Sequence, residues 1–219
     1  MNNLQGKKFV ASYSAGKDSV LAIYRAIKAG LLPIELITTY NTDSNRSWAH
    51  AITENLIQKA SASLSLPVNL VKTSSAQYEK NFETALINAK GRGAEVCIFG
   101  DIDIKEHREW CSARCHKAGL LQYSPLWKES RKKLVYEFID LGFLALITVI
   151  DTSRMPKDFL GKILTIDIAR EIEKSGADIC GENGEYHTFV FDGPLFKNKI
   201  EFNVKGEVQR DNYVFLDIQ

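Results

Sequence analysis

A short strand, a loop of small and hydroxyl residues, and a helix follow one another between residues 7 and 30, and this stretch constrains the fold most. Residues 7–11 are apolar and β-prone, and residues 20–30 place apolar side chains at helical spacing before a glycine. The loop between them is Ser12-Tyr13-Ser14-Ala15-Gly16-Lys17-Asp18-Ser19. Backbone N–H groups and the positive end of the helix dipole meet in such a loop, so it predicts a phosphate site.

The side chains of this loop suit a metal-bound nucleotide. Gly16 lets the backbone approach a phosphate, and Lys17 adds a full positive charge. A Walker P-loop is excluded, because Ala11 and Asp18 stand where that motif requires Gly and Ser/Thr. Asp18 would repel bare phosphate, which favours Mg²⁺-bound nucleotide. The alternative is a plain Ser/Gly turn. The expected nucleotide-binding residues of the loop are Ser12, Ser14, Ala15, Gly16, Lys17, Asp18 and Ser19.

Strands and helices alternate over the first 118 residues. Predicted strands cover 33–40, 68–73 and 95–100, and predicted helices cover 47–63, 76–90 and 103–118. This order predicts an α/β fold, a Rossmann-like parallel sheet with helices on both faces. Ligands of such sheets bind at the carboxyl ends of the strands. Tyr40, Gly100 and Asp101 lie at predicted strand ends and are expected beside the nucleotide.

The regular alternation of strands and helices ends after residues 123–127. Helices are predicted at 131–141 and 162–174, strands at 144–150 and 186–191, and a hairpin from 200 to 218 that turns at Lys205-Gly206. We therefore expect a nucleotide-binding domain at 1–125 and a smaller α+β substrate-binding domain at 126–219.

Charged side chains crowd the segment from Gly100 to Trp110. Asp101 could hold Mg²⁺ together with Asp18, and Asp103, Glu106 and Arg108 could orient a substrate. A solvated helix start would explain the same acids as partners of the helix dipole. His107, Cys111 and Cys115 recur every four residues, which permits a metal site, but free cysteines on a half-buried helix more often fill apolar space.

A second polar run, Gly181-Glu182-Asn183-Gly184-Glu185-Tyr186-His187-Thr188, enters an apolar strand. Glu182, Glu185 and His187 could bind ammonia or move protons near neutral pH and are candidate catalytic residues, with Lys17 and Asp18. Asn183, Tyr186 and Thr188, again with Glu185 and His187, are candidates for substrate binding. A tight turn with Asx hydrogen bonds is the alternative.

Net charge, apolar segments and cysteine content limit the kinds of partner that we expect. The net charge of +1 across 219 residues argues against an extensive nucleic-acid surface. The N-terminus lacks an apolar signal segment, and the longest apolar run, 143–150, is too short to span a bilayer, so no membrane partner is expected. Four cysteines without a regular framework indicate reduced thiols and a cytoplasmic location. The oligomeric state stays open, with a homodimer as one candidate.

Several motifs together resemble a known family. The octet at 12–19 is similar to the SGGKDS loop of the PP-loop (N-type) ATP pyrophosphatases, with Ala15 where that family usually has Gly. The run Gly-Glu-Asn-Gly-Glu-Tyr-His-Thr-Phe-Val from Gly181, the run Gly-Asp-Ile-Asp-Ile-Lys-Glu-His-Arg from Gly100, and Pro125-Leu126-Trp127 resemble the diphthine–ammonia ligase branch. Arg46-Ser47-Trp48-Ala49-His50 is similar in kind, which places His50 near the nucleotide.

This resemblance implies an ATP-dependent ligase. In that family a carboxylate attacks the α-phosphate of ATP, pyrophosphate leaves, and ammonia displaces AMP to give an amide. ATP and Mg²⁺ would be the cofactors, and the acceptor would be the diphthine residue of elongation factor 2 or a related carboxylate. Two alternatives remain: a PP-loop enzyme that modifies tRNA, and a sensor that binds ATP without turning it over.

Overall fold

The computed structural model describes residues 4–48 and 50–219, and their contacts divide the chain into two compact units. The first unit contains the chain up to Ser14, Asp18–Trp48 and Ser65–Lys128. The second unit contains Ala15–Lys17, the segment after Trp48 that ends at Leu64, and Glu129–Gln219. The predicted boundary between residues 125 and 126 stays a prediction.

A mostly parallel sheet forms the centre of the first unit. Its strands are β1 (Lys8–Ser12), β2 (Leu32–Asn41), β3 (Arg46–Ser47), β4 (Val68–Thr73), β5 (Val96–Ile98) and β6 (Leu121–Tyr123). The parallel strands lie in the order β4-β2-β1-β5-β6, and β3 pairs antiparallel with the end of β2. The helices of this part of the chain are α1 (Lys17–Lys28), α3 (Tyr78–Gly91) and α4 (Lys105–Ala118). The predicted α/β class with a helix-flanked parallel sheet is confirmed.

Both faces of this sheet are buried. Val10 and Cys97 belong to an apolar cluster with residues of α3 and α4, including Phe82 and Cys115. Successive residues of a strand point to opposite faces, and Phe9 and Ala11 are also fully buried. This burial on two faces explains why the strands are continuous apolar runs in the sequence.

The second unit is built on an antiparallel sheet. Its helices are α2 (Glu54–Leu64), α5 (Arg131–Asp140) and α6 (Ile166–Lys174). Its strands are β7 (Leu144–Asp151), β8 (Tyr186–Asp192), β9 (Val204–Arg210) and β10 (Tyr213–Ile218), in the order β8-β7-β10-β9. The predicted α+β character of the C-terminal part is confirmed.

The predicted helix at 47–63 is wrong at its start. Ser47 pairs with Tyr40 in β3, and α2 begins only at Glu54. Ala51 adopts a left-handed backbone with φ of 55°, which a right-handed helix cannot contain. Thr53 then precedes the helix, and its hydroxyl accepts a hydrogen bond from the N–H of Leu56 at 3.4 Å.

Two further strand predictions need correction. The C-terminal hairpin turns at Asp211-Asn212, where Asp211 has φ of 51°, and not at Lys205-Gly206. Lys205 and Gly206 lie instead in an irregular part of the β9–β10 pairing, where the register shifts by one residue. Strand β6 escaped prediction because three residues carry too little periodicity to detect. Among the described residues, no helix is both long enough and apolar enough to cross a bilayer.

Candidate functional site

In the first unit, two serines of the loop after β1 are hydrogen-bonded to each other. The N–H of Ser14 donates to the hydroxyl of Ser19 at 3.4 Å, and the two hydroxyls lie 3.2 Å apart. Ser19 is buried at the start of α1, beside Asp18. Ser12 ends β1 and pairs with Ile37 of β2. The structure therefore brings Ser14 and Ser19 together and places Ser12 at the base of the loop.

Gly100 lies against the backbone at the start of α1. A Cβ atom added at this glycine would lie 2.9 Å from the carbonyl carbon of Asp18 and 2.9 Å from the backbone nitrogen of Ser19. Gly100 follows β5, which pairs with β1 at the point where the strand order reverses. Ligands of open α/β sheets bind at this position. The close approach therefore joins two predicted nucleotide-binding segments within the first unit.

Asp101 carries a buried carboxylate oxygen, Oδ2, that has no hydrogen-bond partner among the described residues. Desolvation raises the pKa of Asp101, and hydrogen bonding from Cys111 and the charge of His107 oppose this rise. An unpaired carboxylate oxygen in such surroundings is a favourable ligand for a cation. Asp101 thus fits the expected magnesium site better than a solvated helix start.

The remaining candidates of the first unit differ in their surroundings. Asp103 and Arg108 line a common cavity, whereas Glu106 is exposed and is not among the lining residues. Tyr40 is buried, and its hydroxyl donates to the carbonyl of Asn45.

The stripe of His107, Cys111 and Cys115 does not look like a metal site. Cys111 and Cys115 belong to the apolar core, and His107 is exposed. Within residues 4–48 and 50–219, no group of three or more His, Cys, Asp or Glu could hold a metal.

The tip of the loop, residues 15–17, belongs to the second unit. Ala15 has φ of 66°, so the position that Gly occupies in the resembling family does require a left-handed backbone. A Cβ atom added at Gly16 would lie 2.1 Å from Cε1 of His50. Gly16 is therefore needed because the His50 ring packs directly on the backbone.

Thr188 binds the loop tip through its side chain and His50 through its backbone. Its hydroxyl accepts a hydrogen bond from the N–H of Lys17 at 3.1 Å, and its carbonyl oxygen lies 2.7 Å from Nδ1 of His50. Because a carbonyl can only accept, Nδ1 of His50 carries a proton, and Nε2 is the nitrogen that has a lone pair when the ring is neutral. The N–H of Val190 also donates to the carbonyl of Ala15 at 2.8 Å. The loop tip is thus bonded to β8.

Two aromatic side chains of β8 face this cluster. The ammonium group of Lys17, on a side chain that is 5% exposed, lies 5.2 Å from the ring centroid of Tyr186. The ring of His187 lies 4.8 Å from that of His50. Desolvation, together with the smaller effects of the nearby charges of His50 and Lys17, lowers the pKa of His187 to about 3. His187 is therefore neutral at pH 7 and offers one acceptor nitrogen and one N–H donor rather than a charge.

The segment before β8 is held by hydrogen bonds and by an ion pair. The buried carboxylate of Glu185 accepts hydrogen bonds from the backbone and side-chain amides of Asn183, at 3.1 and 3.2 Å. Arg131 pairs with Asp178 at 2.7 Å, and Asp178 accepts the N–H of Glu182 at 2.9 Å. Arg154 also donates to the carbonyl of Asn183 at 2.9 Å. These contacts hold the Glu185 carboxylate and the backbone at Glu182 and Asn183.

Sequence reasoning missed the residues that support these candidates. Arg131, Arg154 and Asp178 hold the acidic segment, and Trp127 and Lys128 complete the cavity beside Arg108. Trp127 stood within a recognised motif and could have been included for that reason. Nothing in the local sequence of Asp178 indicates its part in the segment.

Comparison with known families covers nearly all of the chain. Residues 7–122 match the diphthamide synthase N-terminal domain, and residues 130–219 match the diphthamide synthase C-terminal domain. The two matches together define a protein of two family domains. The chain belongs to the diphthamide synthase family, and the resemblance seen in the sequence is confirmed.

Relatives of known name share less than half of the chain. The diphthine–ammonia ligase of Danio rerio is 40% identical over 108 residues, 48% of this chain and 42% of the relative. The human protein of that name is 34% identical over 93 residues, 39% of this chain and 34% of the relative. The chain therefore matches well under two thirds of the length of either relative.

One solved structure is weakly similar to this chain. It is described as a predicted subunit of tRNA methyltransferase from Methanocaldococcus jannaschii, with a TM-score of 0.49 and 15% identity. The match covers 88% of this chain and 100% of that one. This likeness is too weak to bear on function.

Proposed function

We propose that this protein is an ATP-dependent carboxylate–ammonia ligase of the diphthine–ammonia ligase type. Family membership supports the class of reaction. The observation that carries the proposal is the hydrogen bond from Lys17 N–H to Thr188 Oγ1. It joins the expected phosphate loop to the Glu185–Thr188 motif, which a protein that only binds ATP would not need.

The proposed reaction has two steps. In the first, an oxygen of the acceptor carboxylate attacks the α-phosphorus of ATP, the bond to the β-phosphate oxygen breaks, and pyrophosphate leaves. In the second, ammonia attacks the acyl carbon of the adenylate, AMP leaves, and one proton is released. The product is an amide. Adenylation is needed because a free carboxylate is a poor acyl donor.

The loop residues stabilise the charge that develops on pyrophosphate. Lys17 supplies the positive charge, and the hydroxyls of Ser14 and Ser19 supply donors at the start of α1. Asp18 and Asp101 would hold Mg²⁺, since the unpaired Oδ2 of Asp101 suits a cation. Bound Mg²⁺ would neutralise phosphate oxygens during the displacement. Preorganised charge of this kind is worth several kcal/mol in other enzymes.

The second unit would supply the ammonia step. Glu182 and the buried Glu185 would attract ammonium, and neutral His187 would not repel it. His50 keeps a lone pair on Nε2, because its Nδ1–H is directed at Thr188, so it could accept the proton that ammonium must lose. The acceptor is proposed to be the diphthine residue of elongation factor 2 or a related carboxylate.

Product analysis tests the proposal. The protein is incubated with Mg-ATP, ammonium chloride and a diphthine-containing elongation factor 2, with free carboxylates in parallel. We expect AMP and pyrophosphate in equal amounts, together with an amide in the acceptor. Formation of ADP and phosphate would contradict adenylation. Sulfur or methyl transfer to tRNA, or ATP binding without turnover on any of these acceptors, would favour one of the two alternatives.

A further inference from the structure

A cavity of about 420 Å³ opens on the first unit, away from the loop itself. It is lined by side chains of α4, by Gln122 of β6, and by Trp127 and Lys128 after that strand. Its volume falls within the range of small-molecule sites and could hold a ligand of side-chain size. The cavity is thus a candidate binding site in its own right.

The cavity lies on the expected ligand edge of the sheet. Gln122 and Trp127 are on or after β6, and Asp103 follows β5, so the lining begins at the carboxyl ends of these two strands. β6 is two strands from β1 in the sheet order, a separation of about 10 Å. A ligand in this cavity would therefore lie at the same edge of the sheet as the loop that follows β1.

Positive charge exceeds negative charge in the lining. Lys105 and Glu109 pair with each other at 3.3 Å on the exposed face of α4 and cancel. The remaining charges of the lining are one negative charge, on Asp103, and two positive charges, on Arg108 and Lys128. Neither Arg108 nor Lys128 forms an ion pair in the part of the chain that the structure describes. The lining therefore favours an anionic ligand.

Arg108 and Trp127 offer oriented donors. The guanidinium carbon of Arg108 lies 4.5 Å from the ring centroid of Trp127, and this stacking leaves the in-plane N–H groups of the guanidinium for hydrogen bonding. The indole Nε1–H of Trp127 is buried and has no partner among the described residues. The guanidinium can bind a carboxylate in two parallel hydrogen bonds, and the Trp127 ring beneath it would sense the bound ligand.

We propose that this cavity binds the carboxylate of the acceptor, with Arg108 and Lys128 as its two cationic ligands. This assignment rests on the proposed ligase function for the identity of the ligand, but the binding itself needs no ATP. It names the substrate class as a planar carboxylate. An acceptor whose carboxylate has been converted to an amide should bind poorly, which would release the product.

Nuclear magnetic resonance of the indole N–H groups tests the site directly. The chain has three tryptophans, so the ¹⁵N-labelled protein gives three indole signals, and Trp127→Phe identifies the one of interest. Benzoate serves as the probe, and benzamide, of the same shape without the charge, is its control. We expect benzoate to shift the Trp127 signal saturably and benzamide to leave it in place.

Variants on one helix separate this site from general charge effects. Arg108→Gln should weaken benzoate binding about tenfold or more, whereas Arg108→Lys should lose no more than about fivefold. Lys117→Gln changes a lysine of the same helix that pairs with Glu83 and does not line the cavity, and it should leave binding within about twofold. If Arg108→Gln fails to fold, Lys128→Gln replaces it, with an expected loss of about threefold.

Three results would overturn the assignment: an unmoved Trp127 signal, equal binding of benzamide, or cation variants that bind benzoate like the parent. Failure of the ligase proposal gives a different pattern, namely benzoate binding with no AMP formed from any acceptor. If amide is formed, Arg108→Gln must raise the KM for the acceptor and leave the KM for ATP unchanged. A change in the KM for ATP alone would also overturn the assignment.

Discussion

The hydroxyl of Thr188 accepts a hydrogen bond from the backbone N–H of Lys17, 171 residues earlier in the chain, at 3.1 Å. Both residues are buried, so this bond is protected from water. It occupies one N–H group of the loop that was expected to bind phosphate, and it fixes the backbone from which the Lys17 side chain extends. The tip of the expected phosphate loop is therefore positioned by a residue that local sequence cannot connect to it.

Thr188→Val should separate this bond from the shape of the side chain. Valine keeps the volume but removes the acceptor, which leaves the buried N–H of Lys17 without its partner. We expect a loss of about 1–3 kcal/mol in the free energy of unfolding, measured by urea denaturation, and weaker ATP binding by calorimetry. Thr188→Ser keeps the hydroxyl and is the control. Equal losses in both variants would mean that packing, not the hydrogen bond, is the source.

Ala15→Gly should behave unlike other Ala→Gly changes. Ala15 has φ of 66°, a conformation that costs a non-glycine residue about 1–2 kcal/mol, so glycine relieves strain there. The greater entropy of glycine in the unfolded chain offsets about 0.4–1 kcal/mol of this gain. We expect unchanged or slightly increased thermal stability. Ala22→Gly, in the buried interior of α1, should instead lose about 1 kcal/mol. A similar loss in both variants would contradict the strain at Ala15.

Gly16→Ala and Gly100→Ala should both destabilise the protein, but only the first can be rescued. At Gly16 the added methyl meets the His50 ring, and at Gly100 it meets the backbone of Asp18 and Ser19. Each change should lose about 1–3 kcal/mol in chemical denaturation. His50→Ala should recover part of the loss of Gly16→Ala and none of the loss of Gly100→Ala, as measured by double-mutant cycles. Gly91→Ala, at the end of α3 where nothing lies within 4 Å, is the control without a clash and should leave stability unchanged or raise it by up to about 1 kcal/mol.

His187 should make stability fall with acid. Its pKa is lowered from 6.5 to about 3 in the folded chain, so the unfolded chain binds more protons below pH 6.5. The free energy of unfolding should therefore decrease as pH falls from 6.5 toward 3, by about 2 kcal/mol at pH 5 from this residue alone. His187→Asn should flatten this part of the profile in urea titrations at several pH values. An unchanged slope would show that His187 titrates normally.

Asp101→Asn should separate stability from metal binding. Desolvation penalises the charged carboxylate, and its Oδ2 has no partner in the described chain, so the neutral amide should leave the free energy of unfolding at pH 7 unchanged or higher by about 1 kcal/mol. The same change should weaken Mg²⁺ binding in the presence of a non-hydrolysable ATP analogue by tenfold or more, roughly the loss of one charged ligand. A variant that folds and still binds Mg²⁺ normally would remove Asp101 from the metal site.

Patterns with a strong period were predictable from the sequence, and contacts between distant segments were not. The parallel strands β1, β2, β4 and β5 and the helices α1, α3 and α4 followed from apolar spacing and from the glycines near them. The start of α2 was wrong because the pairing of Ser47 with Tyr40 overrode helix propensity, and a single left-handed residue, Ala51, is invisible in a spacing pattern.

In the candidate site, too, residue types could be read from the sequence, whereas contacts between distant segments could not. Residue types in the loop and in the Glu185–Thr188 run predict phosphate binding and proton transfer, because such chemistry uses those groups, and this stays a prediction. The packing of His50 on Gly16 and the unpaired oxygen of Asp101 depend on tertiary structure. Trp127 and Lys128 lay outside the expected site because a cavity is formed by segments that the sequence does not place together.

Family resemblance divides this chain once, between residues 122 and 130, whereas its contacts divide it differently. The polypeptide passes from one unit to the other five times, after Ser14, Lys17, Trp48, Leu64 and Lys128. A gene cut at the family boundary would leave its C-terminal product without α2 and without the tripeptide Ala15–Lys17. A truncated C-terminal product should therefore need α2 and this tripeptide restored before its unit is complete.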